Sequence, residues 1–199
     1  MITIIDYGMG NLRSVQKAFE FLGYEAIISD KISNIENASK LILPGVGAFK
    51  DAMKNLSEKK LVNPIKKFVT TGKPFLGICL GMQLMLDKSF EHGQCDGLSL
   101  ISGEVVPFLH TDLKVPHMGW NNLQARSNPL FEKSDDKFVY FVHTYYASKV
   151  DDENIIAKCN YGHDFVAAIK KDNIYGLQFH PEKSGDIGLD MLKRFAKLK

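Results

Sequence analysis

The run Lys73-Pro-Phe-Leu-Gly-Ile-Cys79-Leu-Gly-Met-Gln83 contains the change of pattern that decides the fold. Its first half is a short apolar stretch that predicts a buried strand, and the apolar residues after Cys79 recur at helical spacing. Cys79 therefore stands at a predicted strand-to-helix turn, between Gly77 and Gly81. Glycine on both sides lets backbone and substrate approach closely, and the N–H groups of the following helix favour a thiolate. The pattern is that of a nucleophile elbow with cysteine in the place of serine.

A second motif, Tyr175-Gly-Leu-Gln-Phe-His180-Pro-Glu182, supplies the groups that a cysteine nucleophile needs. An imidazole can accept and return the thiol proton, and a carboxylate two residues further on can fix its tautomer and orientation. Cys79 and His180 are 101 residues apart, so only the fold can bring them together. A lone cysteine in an apolar run is usually a small buried residue, and the second motif is what favours catalysis. We therefore predict a triad of Cys79, His180 and Glu182.

Short apolar segments alternate with helical patterns in the first half of the chain. Strands are predicted at residues 2–6, 25–29 and 39–43, and a helix at residues 12–22. This alternation indicates a mostly parallel sheet with helices on both faces, a three-layer, doubly wound α/β fold of the flavodoxin-like kind. Active sites of such sheets lie at the carboxyl ends of the strands, where both Cys79 and the Pro44-Gly-Val-Gly47 run are placed.

The pattern changes after the elbow. From about residue 93 to residue 169 the segments are short, β-rich and separated by turns, which predicts antiparallel additions to the central sheet. Apolar residues at helical spacing from residue 187 to residue 198 predict a closing helix. With 199 residues and no linker or repeat, we expect residues 1–199 to form a single domain.

Composition excludes several classes of function. The net charge is only +2 and the lysines are dispersed, which argues against a nucleic-acid partner. The apolar runs are strand-sized, so no membrane segment is expected, and the N-terminus lacks the pattern of a secretory signal. The three cysteines are an odd number without paired spacing, consistent with reduced thiols in the cytoplasm. No metal-binding motif is present, and we expect neither a metal nor a cofactor.

The Cys79 elbow together with His180-Pro-Glu182 resembles the class I, or triad, glutamine amidotransferase family. The resemblance covers nearly the whole chain and is narrowed by further runs to members that act as glutaminase subunits in histidine biosynthesis. It implies the fold of that family, glutamine as substrate, and hydrolysis of glutamine to glutamate and ammonia. The runs that narrow it are Ile5–Ser14, Pro44–Phe49, Pro116–Asn121 and His180–Ser184.

The Gly45-Val-Gly47 loop is either a plain tight turn or part of an oxyanion hole. Attack on a carboxamide forms a negatively charged tetrahedral oxygen, and backbone N–H donors aimed at it are worth about 3–4 kcal/mol. The Leu80 N–H, next to the nucleophile, is one natural donor. The resemblance implies Val46 and Gly47 as the second contributor, on a loop whose donor can turn inward when a partner binds.

The resemblance also implies the residues that hold glutamine, namely Gly47, Gln83 and the backbone of His143, Thr144 and Tyr145. Gln83 could instead be an ordinary exposed helix residue. His143 is the main rival for the catalytic histidine, but no Pro-Glu follows it, and we favour His180.

Ammonia must be used elsewhere, because the chain contains no second domain for an acceptor reaction. The resemblance implies a (βα)₈-barrel cyclase subunit as the partner in a heterodimer. It implies contact through Asn11, Met118, Trp120 and Lys183, although Trp120 could instead fill the core. Two alternatives remain open: a paralogous glutaminase that feeds ammonia to a sugar-modifying enzyme, and a non-catalytic regulatory subunit.

Overall fold

The secondary structure is that of a computed structural model, which describes residues 1–108, 113–131 and 134–199. In chain order its strands are β1 (Ile2–Ile5), β2 (Ala26–Ser29), β3 (Lys40–Gly45), β4 (Phe75–Cys79), β5 (Lys88–Ser89), β6 (Cys95–Asp96), β7 (Glu104–Pro107), β8 (His117–Ala125), β9 (Ser134–His143), β10 (Tyr145–Ser148), β11 (Ile155–Asn160), β12 (Asp164–Lys171) and β13 (Ile174–Leu177). The helices are α1 (Leu12–Phe21), α2 (Ile32–Glu36), α3 (Phe49–Glu58), α4 (Val62–Val69), α5 (Leu80–Leu84) and α6 (Gly185–Lys197), with short 3₁₀ helices at Asp152–Asn154 and Pro181–Lys183. Across the described ranges, no helix is both long and apolar enough to cross a membrane.

Five parallel strands form the centre of the sheet, in the order β2-β1-β3-β4-β13. Antiparallel strands continue it beyond β13, through β12, β10 and β7, and the β8–β9 hairpin joins through β11. The prediction of a mostly parallel sheet with antiparallel additions is therefore confirmed. Strand β4, which ends at Cys79, pairs with β3 on one side and with β13 on the other, so it lies at the centre of the parallel part of the sheet.

Helices cover both faces of the sheet because the strands bury side chains on both. Along β1, Ile2 and Ile4 point to the core under α1 and α6, whereas Ile5 points to the core under α3 and α4. The amphipathic helices turn their apolar sides to these cores. Helix α1 buries Val15, Ala18 and Phe19, and helix α3 buries Phe49, Ala52 and Leu56. The three-layer arrangement predicted from the alternating pattern is confirmed.

The structure corrects the predicted elbow helix, which is only five residues long and ends at Leu84. The pattern had extended through Met85 and Leu86. Their carbonyl groups accept hydrogen bonds from the following segment: Leu100 N–H donates to Met85 O at 2.8 Å, and Ser99 N–H donates to Leu86 O at 3.2 Å. The chain therefore folds back on the helix end instead of continuing it.

Other differences between the predicted and the observed secondary structure lie in segments where the sequence pattern did not define a helix or strand. Helices α2 and α3 are absent from the predictions, and within the stretch predicted as β-rich from about residue 93 to residue 169, residues 98–103 form no strand. In the Pro116–Asn121 run, His117 begins the nine-residue strand β8. Strand β8 pairs along its length with β9, a long-range partner that the local sequence does not reveal.

Close backbone packing explains the glycines of the elbow. A Cβ atom at Gly81 would overlap the carbonyl oxygen of Leu43 on β3, and one at Gly77 would lie 2.6 Å from the Gly81 carbonyl oxygen. Real Cβ atoms do not approach that closely, so α5 can lie against β3 and β4 only without side chains at these positions. The glycines thus set the position of the helix that follows Cys79.

Replacing Gly81 by alanine should lower the free energy of unfolding of the chain by about 3 kcal/mol, because backbone atoms of β3 cannot move aside. Urea titration followed by circular dichroism measures this. Gly72→Ala is the matched control: a Cβ there meets open space, and only its positive φ of 77° is strained, at a cost of about 1 kcal/mol. Equal losses in the two variants would contradict the packing argument.

Candidate active site

Cys79 lies at the carboxyl end of β4 with φ +55° and ψ −112°. A non-glycine residue rarely adopts a positive φ, and such strain persists only where the surrounding structure imposes it. Leu80 begins α5 directly after it, so its N–H has no acceptor inside the helix. The predicted strand-to-helix elbow is present, with a buried thiol at its apex.

Strand β13 brings the second motif to the thiol. Leu177 pairs with Ile78 in the parallel register, so the residues that follow β13 pass beside Cys79. His180 Nδ1 lies 2.8 Å from Glu182 Oε1, and the two side chains are 3% and 1% exposed. Pro181 begins the short 3₁₀ helix between them, which turns Glu182 back toward the ring. The structure therefore brings Cys79, His180 and Glu182 together.

The electrostatic environment favours a charged His180. Burial lowers the pKa of the imidazole, but the side chains of Cys79 and Glu182 oppose this through hydrogen bonding and negative charge and raise it to about 10. His180 Nδ1 is hydrogen-bonded to Glu182. The other ring nitrogen, Nε2, is buried, has no geometrically defined hydrogen bond among the described residues, and is therefore available to the Cys79 thiol. The arrangement supports a protonated His180 beside the Cys79 sulfur.

Backbone and serine hydrogen bonds fix the His180 loop to β9. The His180 N–H donates to Tyr140 O at 2.9 Å, and the Tyr140 N–H donates to Ser184 Oγ at 3.0 Å. The Ser184 hydroxyl in turn donates to His180 O at 2.6 Å. The histidine is thus tied to a strand of the β8–β9 hairpin on both sides.

A pocket of about 360 Å³ opens over Cys79. It contains every residue predicted for the oxyanion hole and for glutamine binding, which the fold therefore brings together around the thiol. Its lining residues are Val46, Gly47, Cys79, Leu80, Gln83, Glu91, Pro116, Val142, His143, Thr144 and Tyr145.

Gln83 is only 5% exposed, so the alternative of an ordinary surface residue is wrong. Its Nε2 group donates to Tyr145 O at 2.9 Å and to Gln178 Oε1 at 3.0 Å. Both amide hydrogens are therefore used inside the protein, and only Oε1 remains to accept a hydrogen bond from a ligand.

His143 is buried and has both ring nitrogens occupied. Its Nδ1 lies 2.9 Å from Tyr145 O and its Nε2 lies 2.9 Å from His117 Nδ1. Burial, opposed by the Tyr145 carbonyl, lowers the pKa of His143 to about 3, and burial lowers that of His117 to about 4. Neutral, hydrogen-bonded rings are poorly suited to proton transfer, which favours His180 over His143 as the acid–base group.

Glu91 lines the pocket and was missed by the sequence analysis. Its Oε2 accepts the Phe49 N–H at 2.7 Å, so the carboxylate is anchored at the start of α3. No recognisable motif surrounds Glu91, and only the fold shows that it faces the pocket. Among the residues that line the pocket it is the sole carboxylate.

The predicted partner-contact residues are exposed: Asn11, Met118, Trp120 and Lys183. Trp120 is 56% exposed, so the alternative that it fills the core is wrong. Cross-strand pairing of Trp120 with Tyr140 places them beside exposed Met118 and Phe138 on the outer face of the β8–β9 hairpin. Phe138 was not predicted, since its exposure depends on the register of the hairpin.

The sequence matches the family model described as glutamine amidotransferase class-I over residues 3–198. Solved structures agree on the fold: PurLQS from Thermotoga maritima aligns with a TM-score of 0.77 and 21% identity, covering 98% of this chain and 96% of that one. A structure described as a glutamine amidotransferase aligns with a TM-score of 0.77 and 18% identity, covering 98% and 100%. The chain belongs to the class-I glutamine amidotransferase family.

More similar relatives narrow this assignment. The chain is 50% identical to the imidazole glycerol phosphate synthase subunit HisH of Geobacter sulfurreducens, covering 100% of this chain and 99% of the relative. It is 52% identical to the protein of the same name from Methanosarcina barkeri, covering 99% and 98%. Within the family it therefore belongs to the HisH branch and is a glutamine amidotransferase subunit. These relatives do not favour the sugar-modifying or the non-catalytic alternative.

Glu182→Gln should lower the pKa of His180 from about 10 toward the ordinary value of 6.5, because the carboxylate no longer stabilises the imidazolium. Because Cys79 still raises the pKa of His180 in the variant, the protonated fraction of the ring at pH 8 should be smaller than in the original protein but not zero. Histidine NMR titration measures this, with His143, which stays neutral from pH 5 upward, as an internal control.

The same shift has a consequence for stability. Since the folded-state pKa of His180 is raised, its contribution to folding is complete below about pH 6.5 and disappears as the pH rises through about 10. A titration of His180 that is unchanged in the Gln variant would contradict the assigned pairing with Glu182.

Proposed function

We propose that Cys79 attacks the γ-carboxamide carbon of glutamine and forms a γ-glutamyl thioester. His180 donates its proton to the departing nitrogen, which leaves as ammonia, and then activates the water that releases glutamate. Glu182 orients His180 and stabilises its charge. The observation that carries this proposal is the juxtaposition of a strained, buried thiol, which lines the pocket, with a hydrogen-bonded His180–Glu182 pair.

We infer that Val46, Gly47 and Leu80 stabilise the tetrahedral oxyanion. Leu80 follows the nucleophile and begins α5, where its N–H has no helical acceptor. Val46 and Gly47 line the same pocket, and Gly47 has a φ of +96°, a conformation that gives this loop access to peptide orientations closed to other residues. Each donor is worth about 3–4 kcal/mol of transition-state stabilisation.

The glutamine substrate has an α-ammonium and an α-carboxylate that need partners. Glu91 is suited to the ammonium because it supplies a carboxylate held in place by the Phe49 N–H. Gln83 adds an acceptor through Oε1, and the backbone of Gly47 and of His143, Thr144 and Tyr145 forms the remaining walls. These groups place the γ-carboxamide at Cys79.

Ammonia in bulk water is largely protonated and loses its nucleophilicity, so direct transfer to a bound partner is favoured. HisH relatives are named as subunits of imidazole glycerol phosphate synthase. We propose that the partner is a cyclase subunit with a (βα)₈ barrel, which uses the ammonia for histidine biosynthesis. We define the docking face as Met118, Trp120, Phe138 and Tyr140, with Lys183 beside Tyr140. We propose exposed Asn11 as a further contact with the partner.

The proposal also covers the domain organisation of the chain and its location in the cell. We propose that residues 1–199 act as one domain, supported by the single sheet that connects β2 to the β8–β9 hairpin. A cytoplasmic location is supported by the three free cysteines, which fit a reducing compartment.

Cys79→Ala should reduce glutamate release from glutamine by at least about a thousandfold, because no other nucleophile replaces the thiol. Turnover of the partner with added ammonium salt should be unchanged in the same complex, since the variant leaves the docking face intact. Glutamate release is measured for the chain alone and for the complex with cyclase subunit and nucleotide substrate. We expect strong stimulation in the complex.

Each contrary outcome has a distinct meaning. Glutamate release that survives Cys79→Ala would refute the nucleophile assignment. Activity that the cyclase does not stimulate would point to a different ammonia acceptor, and absence of activity in every state would favour a regulatory subunit. Loss of ammonia-dependent turnover in the variant would show damage to the complex and would contradict the assumption of an intact docking face.

Trp120→Ala should weaken binding of the cyclase subunit about 30-fold, since a half-exposed tryptophan at the centre of an apolar face is a typical hot spot. Calorimetry measures the Kd. The matched control is Phe21→Ala at the C-terminal end of α1, which is 78% exposed and is not part of the docking face as defined above. Unchanged binding by the Trp120 variant, or equal weakening by the control, would contradict the assigned docking face.

A further inference from the structure

Gln178 is a fully buried polar residue that the mechanism above does not use. It follows directly after β13, two residues before His180, and its N–H backbone group donates to Ala167 O at 2.9 Å. Its side-chain Nε2 lies 4.0 Å from Cys79 Sγ, at the limit of the range for a hydrogen bond to sulfur, and the Val142 carbonyl oxygen lies 3.9 Å from the same sulfur. A buried amide beside a nucleophilic thiol requires a physical explanation.

The orientation of this amide follows from its neighbours. Tyr145 O is a carbonyl and only accepts, so the Gln83 atom that faces it must be Nε2. The second hydrogen of the same Nε2 group donates to Gln178 Oε1 at 3.0 Å. Gln178 therefore has its oxygen toward Gln83 and its NH₂ group toward the sulfur, and the flip ambiguity of amides is resolved by the network.

The network extends from Tyr145 O to strand β8. The His143 Nδ1–H donates to Tyr145 O, which requires His143 Nε2 to accept from the His117 Nδ1–H. His117 Nε2 then accepts from Asn121 Nδ2 at 3.2 Å. Burial keeps both rings neutral at physiological pH, so each hydrogen bond has a fixed direction. The Tyr145 carbonyl that orients Gln83 is thus itself held in place.

We propose that the Gln178 side-chain amide is a hydrogen-bond donor to the Cys79 sulfur, which it holds in position and stabilises as a thiolate, and that Gln83 fixes this amide in the donating orientation. The inference rests on the proposed role of Cys79 as nucleophile. A hydrogen bond to a charged acceptor is stronger than one between neutral groups, so the donor favours the ionised sulfur over the thiol. Gln83 then has two tasks: its Oε1 faces the pocket, and its Nε2 group orients Gln178.

The test uses alkylation of Cys79 by iodoacetamide in the whole chain, which needs neither glutamine nor a partner. Gln178→Met keeps the length of the side chain and removes the donor. We expect the alkylation rate at pH 7 to fall about tenfold, and the difference from the original protein to shrink at pH 9.5, because alkaline pH favours thiolates in both proteins. Cys79→Ser gives the background from Cys95 and from Cys159, whose pKa burial raises to about 12.

Gln178→Glu keeps the acceptor for Gln83 and replaces the donor with a carboxylate, so it separates electrostatics from packing. We expect a larger fall at pH 7 than in the Met variant, because a negative charge then faces the sulfur. Gln16→Met is the matched control: Gln16 Nε2 also donates to a buried backbone carbonyl, that of Ala26 at 2.8 Å, but on α1, away from the thiol. It should leave the rate unchanged.

The role of Gln83 is tested by a double-mutant cycle. Gln83→Met should also slow alkylation at pH 7, by less than Gln178→Met, and the double variant should be no slower than Gln178→Met alone. Additive effects would contradict an action of Gln83 through Gln178.

Alkylation at pH 7 that is unchanged in both Gln178 variants would overturn the inference, as would a fall of equal size at pH 7 and pH 9.5, which indicates a purely structural effect. The proposed function fails separately, through glutaminase activity that persists in Cys79→Ala. The two failures are therefore distinguishable.

Discussion

The strained backbone of Cys79 is the constraint on which the site depends. A positive φ at a non-glycine residue costs about 1–3 kcal/mol and is maintained only if the surrounding structure leaves no alternative. Here β4 is paired on both sides, by β3 and β13, and α5 is pressed against β3 where Gly81 meets Leu43. The turn that places the sulfur at the pocket is thus imposed by the central strands of the sheet and by the helix packed on them.

Environment gives three buried histidines two different roles. His117 and His143 are neutral, with pKa values of about 4 and 3, because burial removes solvent and their partners are a ring, an amide and a carbonyl. His180 is just as buried, but a carboxylate and a thiol raise its pKa to about 10. Residue type alone therefore does not assign the chemistry; the charge of the nearest partner does.

Much of this arrangement could be predicted because its signals are local. The elbow could be predicted from Cys79 between two glycines, the His180–Glu182 hydrogen bond from their spacing of two residues, and the parallel centre of the sheet from short apolar strands. Features set by distant contacts could not be predicted. The end of α5 depends on residues 98–100, the exposure of Phe138 on the pairing of β8 with β9, and the position of Glu91 on the start of α3. Gln178 lay inside a recognised motif, yet its role depends on Gln83 and Tyr145, which are far away in sequence.

The place of β13 beside β4 has a consequence for synthesis on the ribosome. The two strands are separated by 95 residues, from Cys79 to Ile174, and throughout the translation of that stretch β4 has a neighbour only on the β3 side. A nascent chain of that length therefore contains Cys79 without His180. The β8–β9 hairpin, by contrast, has already emerged when β13 arrives. The hairpin is thus synthesised before the strand that brings His180 to Cys79.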